Sequence, residues 1–382
     1  MTAPAVTLQH KAGMLTAALR SELVERDDQI EAMLVAFFGG LNFFSLGTPG
    51  VGKSMANDRL VAYIEGVKVF HKLLTRGDTL PDLFGMLNLP LLDQGVYEYQ
   101  TDGFLPWCDI ARLGEIFKTS TTVLNSLLEA TNERTFTNGA TFMRIPLSSV
   151  FCDSNEMPPE DSDELAAIWD RLDIRVKVDD TSDEGLRHLL DMDDPDPSPA
   201  PIFTWDEVVR AKAEVAAIPL TEDAKDALIQ IRRDLRAASI TPSPRRLKNC
   251  RRAIRAFAWL EGADKADVEH LVPVVNMLWE RPEQIKQVEQ IVLGVCSPNM
   301  GEALKVADAV GDLAEQAAEV LKETDKTAKS AALMDLAGKL KVESAKVNAL
   351  SKTSVGRALR LVEATQRQID AIKKRASDEI GF

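Results

Sequence analysis

At 382 residues the chain is long enough for two or three domains, and 45% hydrophobic with 27% charged residues is ordinary for a globular protein with a sizeable core. No apolar run reaches the length of a membrane helix, and the first residues carry no secretion signal. Four scattered cysteines, Cys108, Cys152, Cys250 and Cys296, without close pairs or histidines beside them, suit reduced thiols in a cytoplasmic protein better than disulfides or zinc. A net charge of −14 disfavours non-specific binding to nucleic acid.

In chain order, residues 10–39 read as two helices, followed by a short strand, Asn42 to Leu46, that ends at glycine. A helix from Lys53 to Glu65 and a strand from Val67 to Leu74 come next. Residues 77–106 are loops with a small hairpin. A strand at Asp109 to Leu113 precedes a helix over Thr121 to Asn132. Asn138-Gly139 is placed as a hairpin turn, and Ser148 to Cys152 is another strand. This alternation implies a parallel sheet covered by helices.

Residues 156–196 hold 15 acidic residues against Arg171, Arg175, Lys177 and Arg187, which reads as a solvated acidic surface. Asp193 to Pro201 is the clearest linker. Beyond it the pattern is helical: Glu222 to Ala238, Ser243 to Leu260, Asp264 to Glu280, then a last hundred residues with equal numbers of acids and bases. Apolar positions at Leu304, Ala307, Val310, Ala314 and Ala317, and later at Leu333, Leu336, Leu340 and Val347, recur every three or four residues and predict a helical hairpin or bundle.

The strongest motif is Gly47-Thr48-Pro49-Gly50-Val51-Gly52-Lys53-Ser54, a full GxxxxGK[ST] pattern between a strand and a helix. Its glycines let successive backbone N–H groups turn toward phosphates, and the following helix adds its positive end. Lys53 is placed to reach the β- and γ-phosphates of ATP, or the β-phosphate of ADP, and the Ser54 hydroxyl to ligate Mg²⁺.

Two further stretches give the class. Leu124 to Arg134 resembles the LLxxLxExR-type segment of the MoxR family of AAA+ proteins. Ser154-Asn155-Glu156 with Leu165 to Arg171 resembles that family's sensor-1 strand end and arginine-finger segment. Thr75-Arg76, Leu83-Phe84-Gly85 and Gly103 to Pro106 are similar to what lies between in the RavA branch, and Ser243-Pro244-Arg245 is similar to its sensor-2 motif. The resemblance spans residues 15 to 280. It implies an α/β AAA+ P-loop core over residues 1–195, an all-α lid over 196–280 and an extended helical arm over 281–382. It also implies that Asn155 orients the attacking water, Arg171 reaches a neighbouring subunit's site in a homohexamer, Arg245 senses the γ-phosphate, and a protein partner, commonly one with a von Willebrand A-type domain, is remodelled or chaperoned.

One departure bears on the chemistry. The family's strand ends in Asp-Glu, whereas this chain reads Leu113-Gly114-Glu115. Glu115 remains as the general base, and the Mg²⁺-positioning carboxylate is missing from its usual place. Three explanations compete: slow hydrolysis with binding and ring assembly carrying the function, substitution by Asp109 or Asp153 (Asp153 the better placed if the two strands are neighbours), or an inactive chain. Weak hydrolysis is the expectation, and an assembly scaffold with negligible turnover the alternative. A DNA motor is the third reading. It draws on Arg245-Arg246, Lys248, Arg251-Arg252 and Arg255, but 245, 248, 252 and 255 share a helical stripe expected to face the acidic core or the nucleotide, so nucleic acid is not the expected partner.

Overall fold

The computed structural model describes residues 6–158, 163–321, 326–352 and 356–380. Two helices open the chain, α1 (Leu8–Glu22), capped by the Thr7 hydroxyl, and α2 (Asp27–Gly39). Helix α2 is buried almost all round, as its apolar run from Ile30 to Phe38 demands, and it ends on Gly40 in the left-handed region. Strand β1 (Phe43–Leu46) is fully buried and feeds the glycine loop that opens α3 (Lys53–Ala62). Then come β2 (Val69–Leu73), β3 (Ile110–Gly114), α4 (Thr121–Asn132), β4 (Ser149–Ser154), α5 (Asp163–Arg171) and β5 (Ile174–Lys177).

The five strands form one parallel sheet in the order β5-β1-β4-β3-β2. Strand β1 therefore lies between β5 and the central strand β4, and β4 lies beside β3, with Gly114 directly opposite Asp153. The aromatic core runs through this layer: Phe44 packs on Trp169 at 5.3 Å between ring centres, and Trp169 on Trp279 at 5.7 Å. Arg175 is fully buried between them, its guanidinium 3.8 Å from the Trp169 ring centre and paired with Glu280 at 3.0 Å. That pairing is why a strand with an internal arginine still belongs to the core. Arg112, the polar interruption in β3, is likewise half-buried and paired with Asp58 of α3.

After the sheet come α6 (Trp205–Ala217), α7 (Glu222–Ala237) and α8 (Pro244–Leu260). Several sequence expectations change here. Residues 264–280 do not make one helix: a 3₁₀ turn at Val268–Val274 leads into a single helical turn at Val275–Leu278, and Pro273 interrupts the continuous ladder. A strand pair beyond the linker escaped the pattern, Phe203–Thr204 against Ile64–Glu65, because two residues carry no periodicity. The hairpin Thr135–Asn138 with Thr141–Arg144 turns on Gly139-Ala140, one residue later than expected. Asn138 stays in register, and its side-chain amide bonds both backbone groups of Tyr99 at 2.7 and 3.1 Å.

Contacts divide the chain into two compact units, Met1–Lys225 with Pro242–Pro282, and Asp226–Thr241 with Glu283–Phe382. The second unit contains α9 (Ile285–Cys296), α10 (Pro298–Leu321), α11 (Lys326–Leu350) and α12 (Gly356–Ile380), the last three packing on one another. Its core draws on Leu333, Leu336, Leu340 and Val347 as the spacing implied. In α10 the buried stripe is Ala303, Val306, Val310, Leu313 and Ala317, rotated by about one residue from the expected face. Alanine at most positions left either face plausible from the sequence.

Candidate active site

The glycine loop is shaped by its surroundings before any ligand is considered. Gly50 and Gly52 have φ of 89° and 80°, a region closed to most side chains, and a Cβ at Gly47 would sit 2.4 Å from the Val178 carbonyl oxygen. The start of α2 braces the loop: Arg26 Nε donates to the Val51 carbonyl at 3.1 Å, and the Gln29 amide to the Lys53 carbonyl at 3.2 Å. Lys53, at the first position of α3, is 6% exposed, and its ammonium donates to the carbonyls of Gly47 at 2.6 Å and Thr48 at 2.8 Å and to Asn155 Oδ1 at 2.8 Å. Burial holds its pKa below the usual lysine value, with Asp153 and Glu115 pulling the other way.

The parallel register brings the remaining polar groups to the same edge. Asn155 follows the end of β4, and its Nδ2 donates to Glu115 Oε1. Glu115 follows the end of β3 with φ of 54°, a left-handed conformation that a glutamate adopts at a cost of about 1–2 kcal/mol. The same turn lets Glu115 pair with Lys118 at 3.3 Å. Lys53, Asn155 and Glu115 thus form one chain of contacts.

A carboxylate on the next strand borders position 114. Ser54 Oγ donates to Asp153 Oδ2 at 3.0 Å, and a Cβ built on Gly114 would lie 3.6 Å from Asp153 Oδ1. The space a side chain at position 114 would enter is bordered by the carboxylate of Asp153. Burial raises the Asp153 pKa, while the Ser54 hydroxyl and Lys53 favour the charged form. Asp109 takes no part: it is buried at the other end of β3, where it accepts from the Lys68 backbone at 2.9 Å.

Arg171 and Arg245 are not brought to this edge. Both line a cavity of about 720 Å³ whose floor includes Asn42, Ser148 and Asp173, the residues that precede β1, β4 and β5. The glycine loop begins a strand's length away, about 13 Å for four residues. Arg171 donates to the Ala167 carbonyl at 2.7 Å, and Arg245 lies 3.8 Å from Asp170. The neighbouring Arg246, in the sequence one more member of the basic cluster, is the buried one: it is 1% exposed, donates to the carbonyls of Trp169, Leu172 and Met277, and anchors α8 against the core. The basic stripe of α8 therefore faces this cavity and its other cations, where an acidic core surface or the chain's own nucleotide loop was expected.

Residues 10–194 match the model of the MoxR domain found in MoxR–vWA–β-propeller ternary systems, and residues 223–292 match an AAA lid domain. An uncharacterised protein of Methanocaldococcus jannaschii is 30% identical over 93% of this chain and 96% of its own length. The chain belongs to the MoxR family of AAA+ ATPases. A second uncharacterised protein of that organism is 30% identical over 80% of each chain. A structural protein of Acidianus two-tailed virus is 30% identical over 44% of this chain and 28% of its own. A solved structure from Cytophaga hutchinsonii, described as a candidate ATPase, has a TM-score of 0.62 at 18% identity, covering 75% of this chain and 94% of that one, a likeness of fold. As a MoxR-family AAA+ protein the chain is a nucleotide-binding α/β P-loop core with a helical lid. Among the described residues no helix is long and apolar enough to cross a membrane.

Proposed function

We propose that this MoxR-family protein binds and hydrolyses ATP with Mg²⁺, and that Asp153 supplies the carboxylate that position 114 lacks. The observation that carries the reading is the Ser54–Asp153 contact directly across from Gly114. A hydroxyl and a carboxylate side by side are hard oxygen donors of the kind Mg²⁺ takes beside nucleotide phosphates. When bound, the ion would offset negative charge on the β- and γ-phosphates. Gly47 to Ser54 would hold the phosphates by backbone N–H groups and Lys53. Glu115, held against Asn155, would accept the proton of the attacking water, and Asn155 would fix that water's direction. The alternative reading, a nucleotide-controlled scaffold with negligible turnover, drew on Gly114 and loses that support if Asp153 fills the role.

Arg171 and Arg245 lie at the far end of the sheet from their own glycine loop, so a role in hydrolysis requires a neighbouring copy. That supports a homo-oligomeric ring, a hexamer by family resemblance, in which these arginines face the nucleotide of the next subunit. The ring would remodel or chaperone a protein partner, and the MoxR–vWA description of the matching domain favours a partner with a von Willebrand A-type domain. The RavA branch remains a reading of the motifs. Steady-state ATP turnover of the purified chain tests the core of the proposal. Turnover should be measurable with Mg²⁺ and fall by roughly a hundred-fold or more in Glu115→Gln with ATP affinity retained; no turnover in the unaltered chain would favour the scaffold.

A further inference from the structure

One amine of the molecule serves neither the P-loop chemistry nor the neighbour-facing arginines. Lys212 projects from α6 into the lining of the far cavity, with its side-chain nitrogen 4.9 Å from the ring centre of Phe37 and 5.4 Å from that of Trp205. Its hydrogen-bond partner is the Ser148 hydroxyl, an uncharged group. Two aromatic faces and one hydroxyl thus stand where an ammonium prefers water or a carboxylate. Burial, then Arg252 and Arg134, push the Lys212 pKa down to about 7, with Asp109 pulling the other way. Near neutral pH roughly half of the side chain is therefore free amine, a nucleophile with its lone pair available.

The groups beside that amine lack an anion. Arg134 is held in a left-handed conformation, φ 56°, and one of its amino nitrogens donates to Asn42 Oδ1 at 3.0 Å. The same nitrogen donates to the carbonyl of Ser148, the residue that also meets Lys212, at 3.2 Å. The other amino nitrogen of Arg134 is shielded from solvent without an acceptor among the described residues. The only carboxylate in the described lining is Asp173, and it already accepts from the Asn42 backbone at 3.0 Å and the Asn249 amide at 2.6 Å. A buried guanidinium donor is costly to leave unmade, and a planar carboxylate is the acceptor its fork fits best. Where an Asp or Glu would ordinarily stand, this chain supplies an amine.

We propose that Lys212 is a modification site for carbon dioxide, and that the lysine carbamate so formed is the anion Arg134 lacks. The nitrogen lone pair attacks the carbon of CO₂ and forms the N–C bond, one C–O π pair moves onto oxygen, and the proton released from nitrogen leaves to water in the cavity. No electrons are exchanged, and CO₂ is the sole co-reactant. The product is a planar anion of carboxylate shape, and the cavity of about 720 Å³ has room for the added group. It offsets charge beside Ser148 and leaves Arg171 and Arg245 to the role given them above. In buffer free of carbon dioxide the side chain stays an amine.

The test equilibrates the full chain with isotopically labelled bicarbonate at about pH 8, above the Lys212 value. Triethyloxonium then esterifies any carbamate irreversibly, and peptide mass mapping of the unaltered chain locates it without any substitution. The expected result is an ethyl carbamate on Lys212, at higher occupancy than on the chain's N-terminal amine, which reacts as an unassisted reference. Carbon NMR of the untrapped protein should show a saturable carbamate resonance that Lys212→Met removes. Bicarbonate should also raise the thermal midpoint of the unaltered chain and not that of Lys212→Met, since a group added to the folded state alone stabilises it. A carbamate confined to the N-terminal amine, a resonance of unchanged intensity in Lys212→Met, or equal thermal shifts in both proteins overturns the proposal.

Discussion

At the C-terminal end of β1 a single buried lysine, Lys53, meets two carboxylates, Glu115 and Asp153, whereas beyond its N-terminal end eight cations share a cavity with one carboxylate, Asp173. One parallel sheet thus holds two opposed electrostatic settings a strand's length apart. The overall charge of −14 describes neither. At the first end the groups are placed by strand termini, so their identity depends on register. At the second all but Arg134 project from helices, so their number depends largely on helical spacing. A chemical step that needs few, well-aimed groups fits the first end, and recognition of a diffuse multiple charge fits the second.

The comparison breaks most visibly if the two ends serve the same nucleotide in one chain. Arg171→Ala should lower ATP turnover on the order of a thousand-fold while leaving ATP affinity intact. Mixing it with Lys53→Ala chains should restore part of the activity, because each variant keeps the end that the other lacks; no recovery on mixing would place Arg171 outside hydrolysis between neighbours. Lys53→Ala alone should weaken ATP binding by roughly a hundred-fold, since it strips a buried charge from the loop. Retained ATP affinity in that variant would move the nucleotide away from the P-loop.

The last effect is a slope. Lys212 in the unfolded chain keeps its proton to about pH 10.4, whereas in the fold it loses it near 7. Between those values the unfolded state binds the extra proton, so stability should rise with pH from about 7 to about 10, by at most about 1.4 kcal/mol per pH unit, and show no such rise below 7. Lys212→Met should flatten that segment in denaturant titrations. The same slope in Lys212→Met would mean that the cavity does not discharge this lysine.

The sequence makes the two ends legible to different degrees. Gly47 to Ser54 is contiguous, so its spacing alone announces a phosphate loop between β1 and α3. Asp153 and Gly114 are separated by an entire helix and hairpin; their relation needs the order β1-β4-β3, which periodicity does not encode. The basic stripe on α8 shows its helical spacing plainly, but Arg134 and Lys212, which give it meaning, lie on other elements. Strand β5 is hidden in the sequence because Arg175 and the acids around it mask a buried run, and the carboxylate that pairs with that arginine, Glu280, comes from a distant part of the chain. In the helical tail the spacing placed Leu333, Leu336, Leu340 and Val347 correctly in the core, whereas in α10 alanine did not discriminate between faces.

The central claim, that the carboxylate moved from β3 to β4, is tested most directly by metal-dependent nucleotide binding. Fluorescent ATP is titrated with and without Mg²⁺, and the Mn²⁺ electron paramagnetic resonance spectrum of the ATP complex is recorded, for the unaltered chain, Asp153→Asn and Gly114→Asp. The account expects Asp153→Asn to lose the Mg²⁺-dependent gain in affinity and to alter the Mn²⁺ spectrum while metal-free binding persists. Gly114→Asp should give no gain, because a Cβ there already meets Leu73 Cδ1 at 2.9 Å and the added carboxylate would lie beside that of Asp153. An Asp153→Asn chain with unchanged metal dependence and spectrum, or a Gly114→Asp chain that binds metal–nucleotide more tightly, would contradict it.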